Sequence, residues 1–435
     1  MKTLKVALLG CGNVGSHVAR ILLDDADELA ARTGARLELV GIAVRSPDAP
    51  RDVQLPRGLF TTDAEELVRG ADVVIELMGG LEPAGTLIRQ AIAGGAAVVS
   101  GNKALLARQL PELSALADTA GLQLSYEAAV AGAIPILRLI RDSLSGDRVT
   151  KVMGIVNGTT NYILDAMDST GAQFADALAE AQRLGYAEAD PTADIEGLDA
   201  AAKAAILATL SFHTPFDLGD VHCEGITGVT AADVAAARDA GMVIKLLAIA
   251  ERVEGSGGEE GICVRVHPTL LSRDHPLAAV HGAFNAVFIE AENAGELMFY
   301  GQGAGGRPTA SAILGDVVSA ARRVVVGGRG RTETTTGNVR AVPIDDIQTS
   351  YSIGLEAKDE TGVLAAIARI FTEHGVSIEA MRQTTHPADA GQTDSATLRF
   401  ITHTGRESAL AATVEDVRRL PVVREITSVL RVEGN

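Results

Sequence analysis

The segment from Gly185 to Lys203 is the part of this sequence best suited to chemistry. It reads Gly-Tyr-Ala-Glu-Ala-Asp-Pro-Thr-Ala-Asp-Ile-Glu-Gly-Leu-Asp-Ala-Ala-Ala-Lys, so one lysine follows five carboxylates. Asp199 and Lys203 are four residues apart and would share one face of a helix, and the loop around Glu188 could bring another carboxylate to the same lysine. A lysine enclosed by carboxylates suits proton transfer. The alternative is a helix-stabilising ion pair that contributes about 0.3 kcal/mol.

A glycine-rich loop follows the first apolar run of the chain. Gly10-Cys11-Gly12-Asn13-Val14-Gly15 comes after residues 4–9 and opens a helix-like pattern that continues through Leu23. The glycines allow a tight turn and the close approach of a pyrophosphate, and the helix N-terminus adds N–H donors and a positive dipole. In this strand–loop–helix context the loop predicts a dinucleotide site.

The end of the second predicted strand indicates which dinucleotide binds. That strand ends at Val44-Arg45-Ser46, where an NAD enzyme usually offers an acidic residue to the ribose hydroxyls. An arginine at this point favours the additional phosphate of NADP(H), with NAD(H) as a possible substitute. The alternative for Arg45 is a solvated loop residue.

Lys103 follows the predicted strand at residues 96–100. It therefore lies at the carboxyl edge of the predicted sheet, where ligands bind in open α/β folds. The alternative is that Asn102 and Lys103 begin the next helix and point to water.

Composition limits the class of protein and of partner. The chain has 435 residues, which suggests two or three domains, and 38 basic against 56 acidic residues give a net charge of −18. This charge argues against DNA or RNA as a partner and favours a small molecule. Three widely separated cysteines predict neither disulfides nor a zinc site and fit a reducing cytoplasm. No apolar segment has the length that a membrane span requires.

The order of predicted elements indicates an α/β protein. Short apolar runs alternate with helical patterns in the first part of the chain, which predicts a parallel sheet covered by helices. The predicted strands are residues 4–9, 37–44, 72–77, 96–100 and 122–127. A second domain would contain strands at 148–156, 262–267 and 286–291, the helix carrying Lys203, and a helix at 231–252.

The final segment has a different order of elements. We predict strand 351–356, helix 362–374, strands 376–383 and 395–402, helix 407–419 and strand 422–432, which is a split βαβ arrangement. Lys358-Asp359-Glu360-Thr361-Gly362-Val363-Leu364, with Gly375-Val376-Ser377-Ile378 further on, resembles an ACT domain. The resemblance implies an amino-acid sensor that pairs with a second copy, or a dimerisation module without a ligand.

Five motifs together resemble homoserine dehydrogenase over about the first 325 residues. They are the glycine loop, Asn102-Lys103-Ala104-Leu105, Asn157-Gly158-Thr159-Thr160-Asn161, the Gly185 to Lys203 segment, and Tyr300-Gly301-Gln302-Gly303-Ala304-Gly305. The resemblance implies NAD(P)-dependent interconversion of L-aspartate 4-semialdehyde and L-homoserine, in threonine, methionine and isoleucine biosynthesis. It also implies a monofunctional form, because no aspartate-kinase segment precedes the first strand.

The resemblance assigns roles to individual residues of this sequence. Lys203 matches the proton donor and acceptor, Lys103 matches a lysine near cofactor and substrate, and the acidic segment supplies the substrate-binding residues Glu188, Asp194 and Asp199. The expected cofactor-binding residues are Gly10, Gly12, Asn13, Val14, Gly15, Arg45, Asn102, Lys103, Gly185 and Gly303. A sodium ion is expected on Glu127, Val130, Gly132 and Ile134.

The expected architecture has three domains. A Rossmann-type parallel-sheet domain spans residues 1–130 and is completed by roughly residues 300–325. An α+β substrate-binding and dimerisation domain spans 131–326, a linker 327–349, and a ferredoxin-like βαββαβ ACT domain 350–435. The expected partners are the substrate, a possible threonine effector, and a second copy or three further copies of the chain. Another amino-acid dehydrogenase on the same fold, or a nucleotide-sensing regulatory protein, remains the alternative.

Overall fold

The structure is a computed structural model that describes residues 1–255, 258–328, 337–386 and 395–434. The chain forms two compact units, each built from three segments. The first unit contains Met1–Gly158, Asp199–Asp220 and Ala283–Asn338, and the second contains Thr159–Leu198, Val221–Gly282 and Val339–Asn435. Residues 329–336 of the predicted linker lie outside the described residues.

Alternating strands and helices form the first part of the first unit. The elements are β1 (Lys2–Leu9), α1 (Asn13–Asp24), α2 (Ala26–Thr33), β2 (Ala35–Ala43), β3 (Phe60–Thr61), α3 (Ala64–Arg69), β4 (Val73–Glu76), α4 (Ala84–Ala93), β5 (Ala97–Ser100), α5 (Lys103–Ala120) and β6 (Leu124–Ser125). The strands are parallel in the order β3-β2-β1-β4-β5-β6. This is the Rossmann order, in which ligands bind beyond the carboxyl ends of the strands where the order reverses, here between β1 and β4.

The middle of the chain contributes to both units. Its elements are α6 (Ile136–Arg138) with a π-helical turn at Leu139–Ser143, β7 (Val149–Ile155), α7 (Gly158–Thr170), α8 (Phe174–Arg183), α9 (Thr192–Ile195), α10 (Leu198–Phe212), β8 (Val221–Cys223), α11 (Ala231–Asp239), β9 (Met242–Glu254), β10 (Glu260–Ser272), β11 (Phe284–Ala291), β12 (Gly295–Gln302) and α12 (Gly306–Val326). Short 3-10 turns occur at Arg57–Leu59, Glu127–Ala129, Leu218–Asp220, Pro276–Ala279 and Ile344–Asp346.

Two helices of the first unit are important for the site. The late helix α12 packs into the core of the parallel sheet through Ala310, Ile313 and Val317, beside Leu4 and Val6 of β1. Helix α10 is buried from Asp199 to Phe212. A helix that is apolar on all sides belongs in a protein interior, which explains the alanine-rich sequence around Lys203.

The predicted helix at 231–252 is wrong. Helix α11 ends at Asp239, Gly241 adopts the left-handed φ of 73°, and residues 242–254 form strand β9. This strand pairs with β10 along its whole length. Both long strands are mostly buried, so the continuous apolar sequence carried no alternation that would distinguish a strand from a helix.

The C-terminal part of the second unit is a ferredoxin-like module, as predicted. Its elements are β13 (Arg340–Ala341), β14 (Gln348–Lys358), α13 (Val363–Glu373), β15 (Ile378–His386), β16 (Ser395–Thr402), β17 (Gly405–Arg406), α14 (Glu407–Arg418) and β18 (Val423–Glu433). The sheet order is β18-β14-β16-β15, and α13 and α14 share its core. Strand β18 also pairs in parallel with β10, so this module and the β9–β10 hairpin form one sheet.

No helix within the described ranges is both long and apolar enough to cross a membrane.

Candidate active site

The glycine loop between β1 and α1 has the geometry that a pyrophosphate requires. Gly10 has a φ of 94°, and a Cβ atom there would lie 2.5 Å from the carbonyl oxygen of Leu77. A Cβ atom at Gly15 would collide with the carbonyl of Gly10, whereas one at Gly12 would enter open space. Gly12 is the N-cap of α1 and supplies no side-chain cap. The open side of the loop therefore combines a close approach with uncapped N–H groups of a helix N-terminus, which fits a dinucleotide phosphate.

The loop after β2 carries Arg45 and is held in shape by another arginine. Arg45 is exposed at the carboxyl end of β2. Arg51 donates to the carbonyl oxygens of Ser46, Pro47 and Ala49 at 2.8 to 3.0 Å. Its guanidinium also lies 4.3 Å above the ring centre of Phe60. Arg51 was not predicted from the sequence, because a single arginine in a polar loop has no local signal for this role.

Asn102 belongs to a buried hydrogen-bond network at the carboxyl ends of β4 and β5. Its side chain accepts from the N–H of Leu105, which caps α5, and donates to the carbonyl of Gly80 at 2.7 Å. Glu76 is fully buried and accepts from Ser100 Oγ at 2.7 Å and from Asn102 Nδ2 at 3.4 Å. This network fixes the start of α5 and thereby the backbone of Lys103. Glu76 was also missed, although an acidic residue that ends an apolar strand is a recognisable signal.

Three predicted site residues meet in the first unit. Lys203 Nζ lies 2.6 Å from Asp199 Oδ2 and donates to the carbonyl oxygen of Val156, also at 2.6 Å. Lys103 contacts the other oxygen of Asp199. Asn157 Nδ2 donates to Asp199 Oδ2 at 3.0 Å. Asp199 therefore bridges two ammonium groups, one buried on α10 and one half-exposed at the start of α5.

The charge of Asp199 depends on the two lysines. Burial alone would raise the pKa of its carboxyl group, but the ammonium groups of Lys203 and Lys103, with their hydrogen bonds, outweigh burial and hold the pKa well below its ordinary value. The residue is therefore a carboxylate at any pH near neutrality. A buried carboxylate between two ammonium groups keeps both cations at one place, where they can act on a substrate oxygen.

Three further predicted residues lie in the second unit. Gly185 follows α8 with a left-handed φ of 78°. Glu188 is exposed in the next loop, where its carbonyl oxygen accepts from Gln182 Nε2 at 3.1 Å. Asp194 is half-buried within α9. The structure thus groups Lys103, Asp199 and Lys203 in one unit and these three residues in the other.

The predicted sodium ligands surround a loop with unusual backbone geometry. Ala131 and Gly132 both have a φ of 56°, the left-handed region. The carboxylate of Glu127 is buried and accepts the N–H groups of Leu137 and Arg138 at 2.8 and 2.9 Å. The carbonyl oxygen of Ile134 accepts the N–H of Ile136. No group of three or more His, Cys, Asp or Glu side chains among the residues the structure covers is arranged to hold a metal, so a cation here would rely mainly on backbone oxygens.

The Tyr300 to Gly305 motif joins this loop to the nucleotide loop. A Cβ atom at Gly132 would collide with the carbonyl of Gly303, and one at Gly303 would collide with the Asn285 side chain. Gly306, the first residue of α12, packs in the same way against Asn13 and His17 of α1. Close backbone packing thus explains these glycines and brings the start of α12 to the start of α1.

The chain is similar to known proteins over nearly its whole length. A model of the family described as "Homoserine dehydrogenase" matches residues 135–318, and one described as "Homoserine dehydrogenase, NAD binding domain" matches residues 10–127. A homoserine dehydrogenase from Corynebacterium glutamicum is 51% identical over 430 residues, which cover 98% of this chain and 95% of that protein. The chain belongs to the homoserine dehydrogenase family. A model of the ACT domain matches residues 351–422.

Solved structures agree with this assignment. A homoserine dehydrogenase from Thiobacillus denitrificans superposes with a TM-score of 0.92 at 39% identity, and the match covers 100% of this chain and 99% of that one. A hyperthermophilic archaeal homoserine dehydrogenase in complex with NADPH has a TM-score of 0.62 at 28% identity, over 76% of this chain and 100% of that one. The enzyme is therefore an oxidoreductase that interconverts L-aspartate 4-semialdehyde and L-homoserine with a nicotinamide cofactor. The predicted family, fold class and ACT domain are confirmed.

Proposed function

We propose that Lys203 moves the proton in the homoserine dehydrogenase reaction and that Lys103 assists it. The observation that carries this proposal is the buried ammonium of Lys203, held between Asp199 and the carbonyl of Val156. A bound reduced nicotinamide supplies hydride to the aldehyde carbon of the substrate. The carbonyl oxygen then gains a negative charge, which the two ammonium groups stabilise, and takes its proton from Lys203 Nζ. In homoserine oxidation the same nitrogen accepts that proton.

The test is the replacement Lys203→Met, which keeps the length of the side chain without its charge. We expect kcat to fall at least about 1,000-fold, because general acid–base catalysis and charge stabilisation are lost together. NADPH binding, followed by the fluorescence of the reduced nicotinamide, should change less than about 2-fold. Lys245→Met is the matched control, since Lys245 is also buried but contacts Asn161 and the carbonyl of Val280. A Lys203→Met enzyme that cannot bind NADPH, or that retains kcat, would contradict the proposal.

We also infer that carboxylates bind the ammonium group of the amino-acid substrate. Glu188 and Asp194 are the candidates whose side chains are exposed or half-exposed, which supports a contact with a ligand. Asp199 was predicted for the same role. Its contacts with two lysines support a second task for Asp199, the orientation of those lysines.

We propose NADP(H) as the preferred cofactor, with NAD(H) as a poorer one. Arg45 is exposed beside the nucleotide loop and is suited to a ribose phosphate, as expected from its position after the second strand. The remaining cofactor contacts would come from Gly10, Gly12, Asn13, Val14, Gly15, Asn102, Lys103, Gly185 and Gly303. The NADPH complex of the archaeal relative supports this choice.

We propose that a sodium ion binds at the loop that contains Glu127, Val130, Gly132 and Ile134. Oxygen ligands suit a hard cation. Glu127 lies beside Asp316, which accepts its backbone N–H at 2.8 Å, and burial raises the pKa of both carboxyl groups. Arg138 already compensates part of this negative charge, at 3.4 Å from Glu127 and 3.3 Å from Asp316. A further cation would compensate the remainder.

We propose an amino-acid effector, threonine, for the C-terminal module. The ACT match supports this, as does a small cavity of about 220 Å³ at the turn between β14 and α13. It is lined by Lys358, Asp359, Glu360, Thr361, Gly362 and Gln383, among others.

We also propose a reducing cytoplasm as the compartment of the enzyme, which its three free cysteines support. Pairing of ACT modules between copies of the chain would make the enzyme a homodimer or homotetramer.

A further inference from the structure

The two residues that follow β7 contact both members of the ion pair on α10. The carbonyl of Val156 accepts from Lys203 Nζ at 2.6 Å, and Asn157 Nδ2 donates to Asp199 Oδ2 at 3.0 Å. All four residues are buried. Two consecutive residues, one through its backbone and one through its side chain, therefore orient the ammonium group and the carboxylate together.

Asn157 differs from the lysine donors to Asp199 because its amide does not titrate. Lys203 donates to the same carboxylate oxygen, and Lys103 contacts the other one. When Lys203 gives its proton to a substrate oxygen, Asp199 loses one of its two cations. The amide of Asn157 keeps both hydrogens throughout, so Asp199 retains one donor of constant charge and geometry.

Lysines alone would hold the carboxylate plane poorly. The χ2 torsion of an aspartate is broad, and a lysine is a point charge on a flexible stem. A planar amide at 3.0 Å restricts the rotation of the carboxylate and keeps Oδ2 against Lys203. Directional hydrogen bonds are the usual means by which catalytic groups are fixed.

The backbone around Asn157 is itself fixed. A Cβ atom at Gly158 would lie 2.6 Å from the carbonyl oxygen of Ala283, so the chain passes close to another segment directly after Asn157. Strand β7 ends at Ile155 and α7 begins at Gly158. Asn157 is therefore held between a sheet strand and a close backbone contact, which suits a positioning role.

We propose that Asn157 is a positioning residue for proton transfer, whose amide holds the Asp199 carboxylate against Lys203 Nζ in both protonation states of the lysine. The inference rests on the proposed role of Lys203. The competing explanation is that Asn157 only stabilises the start of α7. Loss of such a cap would lower thermal stability without changing the pH dependence of the reaction.

The experiment compares Asn157→Ala, Asn157→Ser and Asn157→Asp with the wild-type enzyme in homoserine oxidation between pH 6 and 10. We expect Asn157→Ala to lower kcat about 10- to 100-fold, while KM for the nicotinamide changes less than about 2-fold. The pH limb that reports Lys203 should move to lower pH in Asn157→Ala, because the ammonium loses a well-placed counter-charge. It should move to higher pH in Asn157→Asp, which adds a carboxylate beside Asp199 and Lys203.

Asn157→Ser keeps a short hydrogen-bond donor and should recover part of the kcat that Asn157→Ala loses. It also provides a variant that can be measured if Asn157→Ala does not fold. Asn293→Ala is the matched control, because it removes an amide–carboxylate hydrogen bond of 2.9 Å to Asp147 on the surface. The proposal is overturned if the Asn157 variants only melt at lower temperature, with kcat and the pH limb unchanged. Absence of turnover in the wild-type enzyme would instead refute the assigned activity.

Discussion

The residues proposed to carry the chemistry are two lysines that share one carboxylate. Lys203 and Asp199 are buried together, and neither would be tolerated alone in that environment. Lys103 reaches the same carboxylate from a half-exposed position. This asymmetry gives Lys203 a fixed environment, which suits its proposed role in proton transfer, and leaves Lys103 accessible to a ligand.

Cofactor preference is a prediction at the scale of one residue. Arg45→Asp should reduce kcat/KM for NADPH at least about 10-fold and improve the ratio of NADH to NADPH use, because a carboxylate repels the extra phosphate and accepts ribose hydroxyls. Initial rates with both nicotinamides measure it. Arg36→Asp is the control, since Arg36 is exposed on β2 away from its carboxyl end. An unchanged ratio would show that Arg45 is a solvated loop residue that does not contact the cofactor.

The sequence predicts the charged residues that meet around Asp199 better than the residues that hold them in place. Lys203 and Asp199 were recognisable because one cation among five carboxylates is unusual, and Lys103 because it follows a parallel strand. Asn157 belonged to a recognised motif but carried no assigned role. Its partner Asp199 lies 42 positions away, so only the tertiary fold reveals the contact. The role of Arg51 depends on the shape of its loop, which the sequence does not give. Glu76 ended an apolar strand and could have been recognised, but its partners Ser100 and Asn102 follow from the pairing of β4 with β5.

Among the elements, α12 links the nucleotide domain to a buried acidic cluster. Asp316 on this helix is buried beside Glu127, and burial raises its pKa to about 7. Between about pH 4 and 7, the carboxyl group of Asp316 is therefore protonated in the folded protein and ionised in the unfolded chain. The contribution of this group to the free energy of unfolding is therefore fully present below about pH 4 and is lost as the pH rises to 7.

We therefore expect Asp316→Asn to flatten the pH dependence of stability. The wild-type free energy of unfolding should decrease between pH 5 and 8 by an amount on the order of 3 kcal/mol from this group, shared with Glu127 through their coupled titration. Urea unfolding at both pH values measures the difference. Asp274→Asn, at an exposed position, should keep the wild-type slope. An equal slope in Asp316→Asn would show that Asp316 is ionised at pH 5.

Strands were predicted well where turn and helix signals flanked them, and poorly where such signals were missing. The short strands of the parallel sheet lay between clear turn and helix signals, so their positions were predicted to within a few residues. Strand β9 was predicted as part of a helix because its mostly apolar sequence shows no regular alternation of apolar and polar residues. Pairing with β10 over 13 residues decides its conformation, and that partner is not visible in the local sequence.

At the scale of the second unit, the ACT module is joined to the β9–β10 hairpin by buried charges. Arg431 on β18 is buried and lies 2.6 Å from Glu407 and 2.9 Å from Glu224. Arg265 on β10 is also buried and pairs with Glu433 at 2.6 Å. The Arg265–Glu433 pair joins the hairpin to β18, and Glu224 follows β8, a strand that pairs with β10. The Arg431–Glu407 pair lies within the module. We therefore expect the module and the hairpin to unfold together.

Arg431→Met should weaken this junction, because it removes the ion pair with Glu224. It also leaves the buried Glu407 uncompensated, and removal of one member of a buried pair typically costs about 3 to 5 kcal/mol. We expect urea unfolding of the variant, followed by far-UV circular dichroism, to shift to lower denaturant and to separate into two steps. Arg418→Met, which removes an exposed pair with Glu415, should leave the curve almost unchanged. A single unshifted transition in Arg431→Met would show that Arg431 is not needed to join the two parts.

The position of β18 in the sheet also has a consequence for biosynthesis. Strands β10 and β14 emerge from the ribosome long before residues 423–433, and that strand is needed to cover one edge of β14 and residues 269–271 of β10. Chains whose translation stops early would therefore display two open strand edges, which are the usual starting points of aggregation. Quality control of this enzyme should act most strongly on products that end between residues 360 and 420.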